Sequence, residues 1–182
     1  MLTRLQPRPS LGLPPDVDDV LRFHQRVPFG PADYFPCMIA LVRSVATDQP
    51  QAIIRTAIST CAEKLGRMAL GPTRDGAIKL WPNDRVEQGL VIGEGVETCL
   101  AAASMEHRGT LLQPVWSLID AGHVAAFPVL PGIECLTILA DHDASGAGQK
   151  AARECGERWV RAGRDAIILT PNEIGLEFND LV

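Results

Sequence analysis

Residues 135–152 read CLTILADHDASGAGQKAA, and this stretch decides the fold. An unbroken apolar run from Cys135 ends in an acid, Asp141, which predicts a strand covered on both faces, as in a parallel sheet. Beyond Ser145 and Gly146, residues Ala147, Ala151, Cys155, Trp159 and Ala162 recur at spacings of four, four, four and three. That spacing predicts a helix with one apolar face, stopped by Gly163. Working outward, GLVIGEG (89–95) is an earlier glycine-stopped strand run, and ETCLAAASME (97–106) favours helix. VWSLID (115–120) and DAIILTP (165–171) supply two more strand candidates, with AGHVAAF (121–127) a short helix or turn. Repeated β-α units of this kind predict an α/β fold, a parallel sheet flanked by helices on both faces, over residues 88–182.

Upstream the pattern differs. CMIALVRSV (37–45), QAIIRTAIS (51–59), RMALGP (67–72) and AIKLWP (77–82) are short apolar, β-branched runs separated by Gly, Pro and Asp. They predict a small, mostly antiparallel β-rich unit over residues 21–87. Residues 1–20, with Pro7, Pro9, Pro14 and Pro15 and no sustained period, read as a mobile arm. The strand-rich stretch carries Arg43, Arg55, Lys64, Arg67, Arg74 and Lys79, so its exposed face is expected to be basic. Arg43, Arg55, Arg67 and Lys79 are the candidate nucleic-acid contacts. The net charge of −5 hides a split: residues 1–90 hold 11 Lys/Arg against 9 Asp/Glu (+2), and residues 91–182 hold 6 against 13 (−7). A polyanion is therefore expected on the first half, and divalent cations on the second.

At 182 residues the chain accommodates one domain plus a small companion, which excludes a multidomain motor. Five scattered cysteines with no CxxC exclude a zinc ribbon and read as reduced core thiols. No apolar run suits a membrane span and the opening residues lack the apolar centre of a secretion signal, so no membrane partner and a cytoplasmic location are expected.

In open parallel sheets, functional groups collect at the carboxyl ends of the strands. Glu94 ends the first α/β strand, Asp120 the second and Asp141 the third, with Asp143 two residues later. Crowded carboxylates repel and raise each other's pKa, a conflict that a divalent cation relieves. Mg²⁺ takes oxygen ligands, commonly one or two carboxylates with waters, and leaves positions for phosphate oxygens. Asp141 and Asp143 leave the strand end on a turning backbone and can converge on one ion. The same pair also reads as a helix cap, Asp143 or Ser145 opening the next helix. Glu94-Gly95 at an earlier strand end favours the metal. His142 is expected to point away from its flanking acids. Lys150, on the following helix, is a candidate phosphate contact, as is Arg153, while Trp81, Trp116 and Trp159 read as core.

With those residues stated, LVIGEGVETCLAAA (90–103) and LTILADHDASGAGQKAA (136–152) resemble the two signature motifs of the Toprim domain. Bacterial primases, topoisomerases of types IA and II, and several nucleases share it. Over residues 16–182 the chain more narrowly resembles the primase-like Toprim proteins of bacterial mobile elements and phages. Segments similar to VLRFHQRVPFG, MIALVRSV, RMALGP, IKLW and a closing FNDLV occur there in the same order. Many primase Toprim domains carry a further acid four residues after the first glutamate. Thr98 holds that position here, and Glu97, one residue earlier, reads as a first-turn acid at a helix N-terminus. The resemblance implies that Asp141 and Asp143 hold Mg²⁺ (or Mn²⁺) against a nucleoside triphosphate. It also implies that Glu94 completes the shell or accepts a proton from the attacking 3′-hydroxyl, and that Asp180 lies close to the metal. Relatives often have an upstream zinc-binding module, which this sequence does not show.

The expected function is Mg²⁺-dependent nucleotidyl transfer on nucleic acid, a primase-like activity in DNA replication, with single-stranded DNA and nucleoside triphosphates as substrates. A helicase or zinc-binding module on another chain is an expected partner. The alternatives are a Toprim nuclease and a non-catalytic nucleic-acid-binding accessory piece. A topoisomerase is disfavoured because the single tyrosine, Tyr34, lies outside the Toprim segment.

Overall fold

The computed structural model describes residues 6–7, 14, 16–61, 63–142, 145–173, 175–176 and 178–181. Its elements run β1 (Gln6–Pro7), α1 (Val17–Val20), β2 (Leu21–Pro28), β3 (Tyr34–Ser44), β4 (Pro50–Ile58), β5 (Lys64–Leu70) and β6 (Gly76–Lys79). There follow a 3-10 turn at Asn83–Arg85, β7 (Gly89–Gly93), α2 (Val96–Ala103), β8 (Met105–His107), β9 (Thr110–Leu111), β10 (Val115–Ser117) and α3 (Ala121–Ala126). The chain closes with β11 (Cys135–Leu139), α4 (Ala147–Arg161), β12 (Asp165–Leu169) and a second 3-10 turn at Phe178–Leu181. Two compact units result, residues 16–79 and residues 80–182 together with 1–15.

In the 16–79 unit, β3 pairs antiparallel with β4, and β4 with β5; β2 and β6 also pair antiparallel with β3. The predicted antiparallel β-rich region is thus present. Alternation along β3 and β4 buries Ala40 and Val42 opposite Ile54 and Ala52 in direct register. The opposite face buries Val27, Cys37 and Ala57, closed by Phe29 and Phe35, whose rings meet edge to face at 5.7 Å. The β3–β4 turn puts Asp48 in the left-handed region (φ 61°), a conformation that Asp tolerates better than most residues.

In the other unit β7, β10, β11 and β12 are parallel, in the order β12-β11-β7-β10. The β7, β10 and β11 side chains are mostly buried, as expected of strands covered on both faces. The chain steps from β7 to one side to form β10, then returns past β7 to form β11 and β12. With right-handed crossovers, that reversal puts α2 on one face of the sheet and α3 and α4 on the other, where α3 packs on α4. The α4 stripe is buried at Ala151, Cys155 and Trp159, whereas Ala147 and Ala162 at its ends are exposed. Trp159 stacks on Phe127, Trp116 meets Phe127 edge-on, and Trp116 Nε1 donates to Trp81 O at 2.8 Å. Gly163, at φ 77°, ends the helix. Gly93 is fixed by close packing, since a Cβ there would stand 2.8 Å from Cys99 Sγ.

Of residues 1–20, expected to be an arm, the structure describes Gln6–Pro7, Pro14 and 16–20; Gln6–Pro7 pairs with Met105–Glu106, and Val17–Val20 form α1. None of the five cysteines forms a disulfide, but Cys61 is exposed rather than part of the core. Among the described residues, no helix is long and apolar enough to cross a membrane.

Candidate functional site

The reversal of strand order fixes where a ligand can enter. In an open α/β sheet the crevice opens at the carboxyl ends of the strands where the winding changes direction. Here that point lies between β7 and β11, which are hydrogen-bonded neighbours. Glu94 directly follows β7, and Asp141 follows β11 by two residues. Two of the predicted acids therefore flank the switch point.

Asp141 is half-buried and held at both oxygens. Thr98 Oγ1 donates to Oδ2 at 3.0 Å, and the Phe178 backbone N–H donates to Oδ1 at 3.2 Å. Thr98 is itself buried in the first turn of α2. Phe178 is fully buried at the start of the closing turn, which packs on α2. The terminal FNDLV segment thus reaches the site through a main-chain donor. Asp180, two residues on, is exposed on the same turn. At β7, the Ser117 hydroxyl donates to Glu94 O at 2.9 Å and the Leu118 N–H to Gly93 O at 2.8 Å, so the end of β10 fixes the backbone from which Glu94 projects.

The negative character of this region is felt by Cys99. Burial pushes its thiol well above the usual range, and the nearby Asp141 and Glu97 carboxylates push it further, against a hydrogen bond with the Gly93 backbone. Glu97 curls over the start of α2: a Cβ on Gly95 would lie 3.3 Å from Glu97 Oε2. That is the position of a first-turn acid facing the positive end of the helix.

Asp120 is engaged elsewhere. Its Oδ1 caps α3 by accepting from the His123 N–H at 3.0 Å and meets His123 Nδ1 at 2.8 Å. Burial works against its charge, but these bonds from His123 outweigh it and hold the carboxyl below the ordinary value. Ile119 precedes it at φ 75°, rare for a β-branched residue, while the Asp120 N–H turns back to Leu118 O at 2.8 Å. His142 has its Nδ1 2.9 Å from Pro171 O. Lys150 is exposed on the first turn of α4, near Glu154 at 3.9 Å. Asp143 lies outside the described residues. Among the described residues no group of three or more His, Cys, Asp or Glu is gathered as a metal site.

The basic candidates divide. Arg67 is exposed on β5. Arg43 is half-buried and donates to Asp48 O at 2.9 Å; Arg55 is half-buried and donates to Pro28 O at 2.6 Å. Lys79, expected on an exposed face, is only 2% exposed, with its ammonium 2.8 Å from Asp48 Oδ1. The reason is positional: β6 buries all four of its residues. The sequence reading missed Thr98 and Ser117 as positioning residues. Ser117 offered a signal as a hydroxyl at the last residue of a strand, whereas Thr98 offered none, since the acid it serves lies 43 residues away.

These residues fit Mg²⁺. Glu94 and Asp141 are hard oxygen donors, and one or two carboxylates with waters suffice for this ion. Gln149 Oε1, in the first turn of α4, is buried with no hydrogen-bond partner among the described residues.

The sequence pattern of the Toprim domain matches residues 89–182, just over half of the chain. Searches of curated proteins and of solved structures give no match. Toprim domains generally bind Mg²⁺ through acidic residues and act on nucleic acid, as primases, topoisomerases or nucleases. With its strand-end acids on either side of the switch point and this match over its α/β unit, the chain belongs to the Toprim family.

Proposed function

We propose that this protein is a primase-like nucleotidyltransferase that extends a nucleic-acid strand from nucleoside triphosphates with Mg²⁺. The observation that carries the reading is the placement of Glu94 and Asp141 at the carboxyl ends of adjacent parallel strands where the winding reverses. Asp141, Glu94 and Asp143 are the residues that would hold the ion, with Asp180 as an outer acid. When bound, Mg²⁺ would neutralise charge on the triphosphate and lower the pKa of a coordinated oxygen. Thr98 and the Phe178 N–H hold the Asp141 carboxylate in one orientation. Glu94 completes the shell of the ion or, in its place, accepts the proton of the attacking 3′-hydroxyl. The ordered likeness of VLRFHQRVPFG, MIALVRSV, RMALGP, IKLW and FNDLV to primase-like proteins of mobile elements supports synthesis over strand passage. Lys150, exposed on the first turn of α4, is the candidate phosphate contact.

The test incubates the chain with single-stranded DNA, labelled nucleoside triphosphates and Mg²⁺ or Mn²⁺, beside a labelled-DNA cleavage control. Short triphosphate-dependent products that vanish in Glu94→Gln are expected. Cleavage lost in the same variant would replace the reading with a nuclease; DNA binding without either activity would replace it with an accessory role.

A further inference from the structure

Charge in the 16–79 unit is segregated by secondary structure. Its acids lie in α1, turns and loops, whereas Arg22, Arg26, Arg43, Arg55, Lys64, Arg67 and Lys79 lie on strands. One sheet face adds exposed rings to this charge. Phe23, Met38, Thr56 and Arg67 form one cross-strand row in register across β2, β3, β4 and β5. Phe23 is 63% exposed. Tyr34, four residues before Met38 on β3 and so on the same face, is 52% exposed. The Arg26 guanidinium sits 4.7 Å over the Tyr34 ring. At about 3.4 Å per residue, the two rings stand about 14 Å apart along the strand direction.

Exposed Phe and Tyr side chains on a sheet whose strands carry cations and no acid are costly for a solvated surface but suited to one ligand chemistry. Unpaired bases stack on rings, and their phosphates seek arginines. A duplex hides its base faces and offers only its phosphates, so the rings favour a single strand.

We propose that this face, built from Phe23, Tyr34, Arg26 and Arg67, is a stacking platform for single-stranded nucleic acid. It deepens the reading given under the proposed function by naming where the template strand is held. It differs from the Arg43, Arg55 and Lys79 set, whose members are half-buried or buried. Thr56 and Met38 form the floor between the rings and Arg67.

The experiment measures fluorescence anisotropy of a labelled oligo-dT strand and of a duplex of equal length, in EDTA so that metal chemistry plays no part. The Phe23→Ala and Tyr34→Ala variants are each expected to weaken single-strand binding on the order of tenfold, with duplex binding little changed. Phe23→Trp and Tyr34→Phe are expected to retain it. Arg67→Ala is expected to flatten the slope of log affinity against log salt by roughly one phosphate contact. Circular dichroism checks the fold of each variant, and both rings are exposed, so the scaffold is expected to survive. Wild-type protein that fails to bind the strand, or a Phe23→Ala Tyr34→Ala double variant that binds within twofold of wild type, overturns the platform. Triphosphate-dependent synthesis in Mg²⁺ is read separately, so a failed platform with retained synthesis leaves the catalytic reading standing, and the converse outcome is equally distinct.

Discussion

Replacing Thr98 with valine keeps the volume of the side chain and removes the hydroxyl that donates to Asp141 Oδ2 at 3.0 Å. A hydrogen bond to a charged group contributes roughly 1.5–3 kcal/mol. Thr98 is 3% exposed, so water cannot replace the donor from its side, but Asp141 is half-buried and can recruit some. The lower end of the range applies, about 1.5 kcal/mol. For a chain of this length that corresponds to a fall in Tm of roughly 3–6 °C. Urea unfolding of wild type, Thr98→Val, Asp141→Ala and the double variant isolates the pair. A coupling of about 1–1.5 kcal/mol is expected, because once Asp141 is gone the hydroxyl has no carboxylate to serve. Additivity within about 0.5 kcal/mol, the usual result for independent sites, would refute the assignment of Thr98 as the residue that positions Asp141.

Gly93→Ala drives a methyl to within 2.8 Å of Cys99 Sγ and is expected to cost about 1–3 kcal/mol, partly recovered in Gly93→Ala Cys99→Ala, by thermal melts of both proteins. Burial pushes the Cys155 thiol up to about 11 while Arg158 pulls it down; the unfolded thiol titrates near 9.0. Between those values the unfolded chain has lost a proton that the folded chain keeps, so stability falls as pH rises through that window and is unaffected below it. Cys155→Ala is expected to flatten this part of the profile in denaturant titrations between pH 8 and 11. Lys79→Met removes the buried ammonium together with its need for Asp48 and is expected to leave nucleic-acid affinity unchanged, whereas Asp48→Ala takes the carboxylate from a charge that stays buried and is expected to destabilise more, by chemical denaturation.

The α/β half was legible because its signals are local. Cys135–Leu139 is a strand by composition, and Ala151, Cys155 and Trp159 define a helix face by spacing alone. Glu94 and Asp141 followed from one rule about strand ends. What the sequence did not reveal depends on strand order. That β11 returns to the far side of β7, making those two ends neighbours, is a tertiary fact. Thr98 and Phe178 serve Asp141 from 43 and 37 residues away, a pairing that no local pattern encodes. Lys79 looked like a surface cation because lysine almost always is one, and only the burial of β6 on all its residues removes it from the surface. Tyr34 was read only as lying outside the Toprim segment and Phe23 only within a family-like segment, because exposure of a ring is decided by what covers the sheet.

The central claim, that Glu94 and Asp141 form the seat of a divalent cation at the switch point, is tested most directly by calorimetric titration of Mg²⁺ and Mn²⁺. The proteins compared are the wild type and a Glu94→Gln Asp141→Asn variant that keeps the shape of both side chains. Saturable binding by the wild type that the variant loses is predicted, and identical weak heats from the two proteins would contradict it.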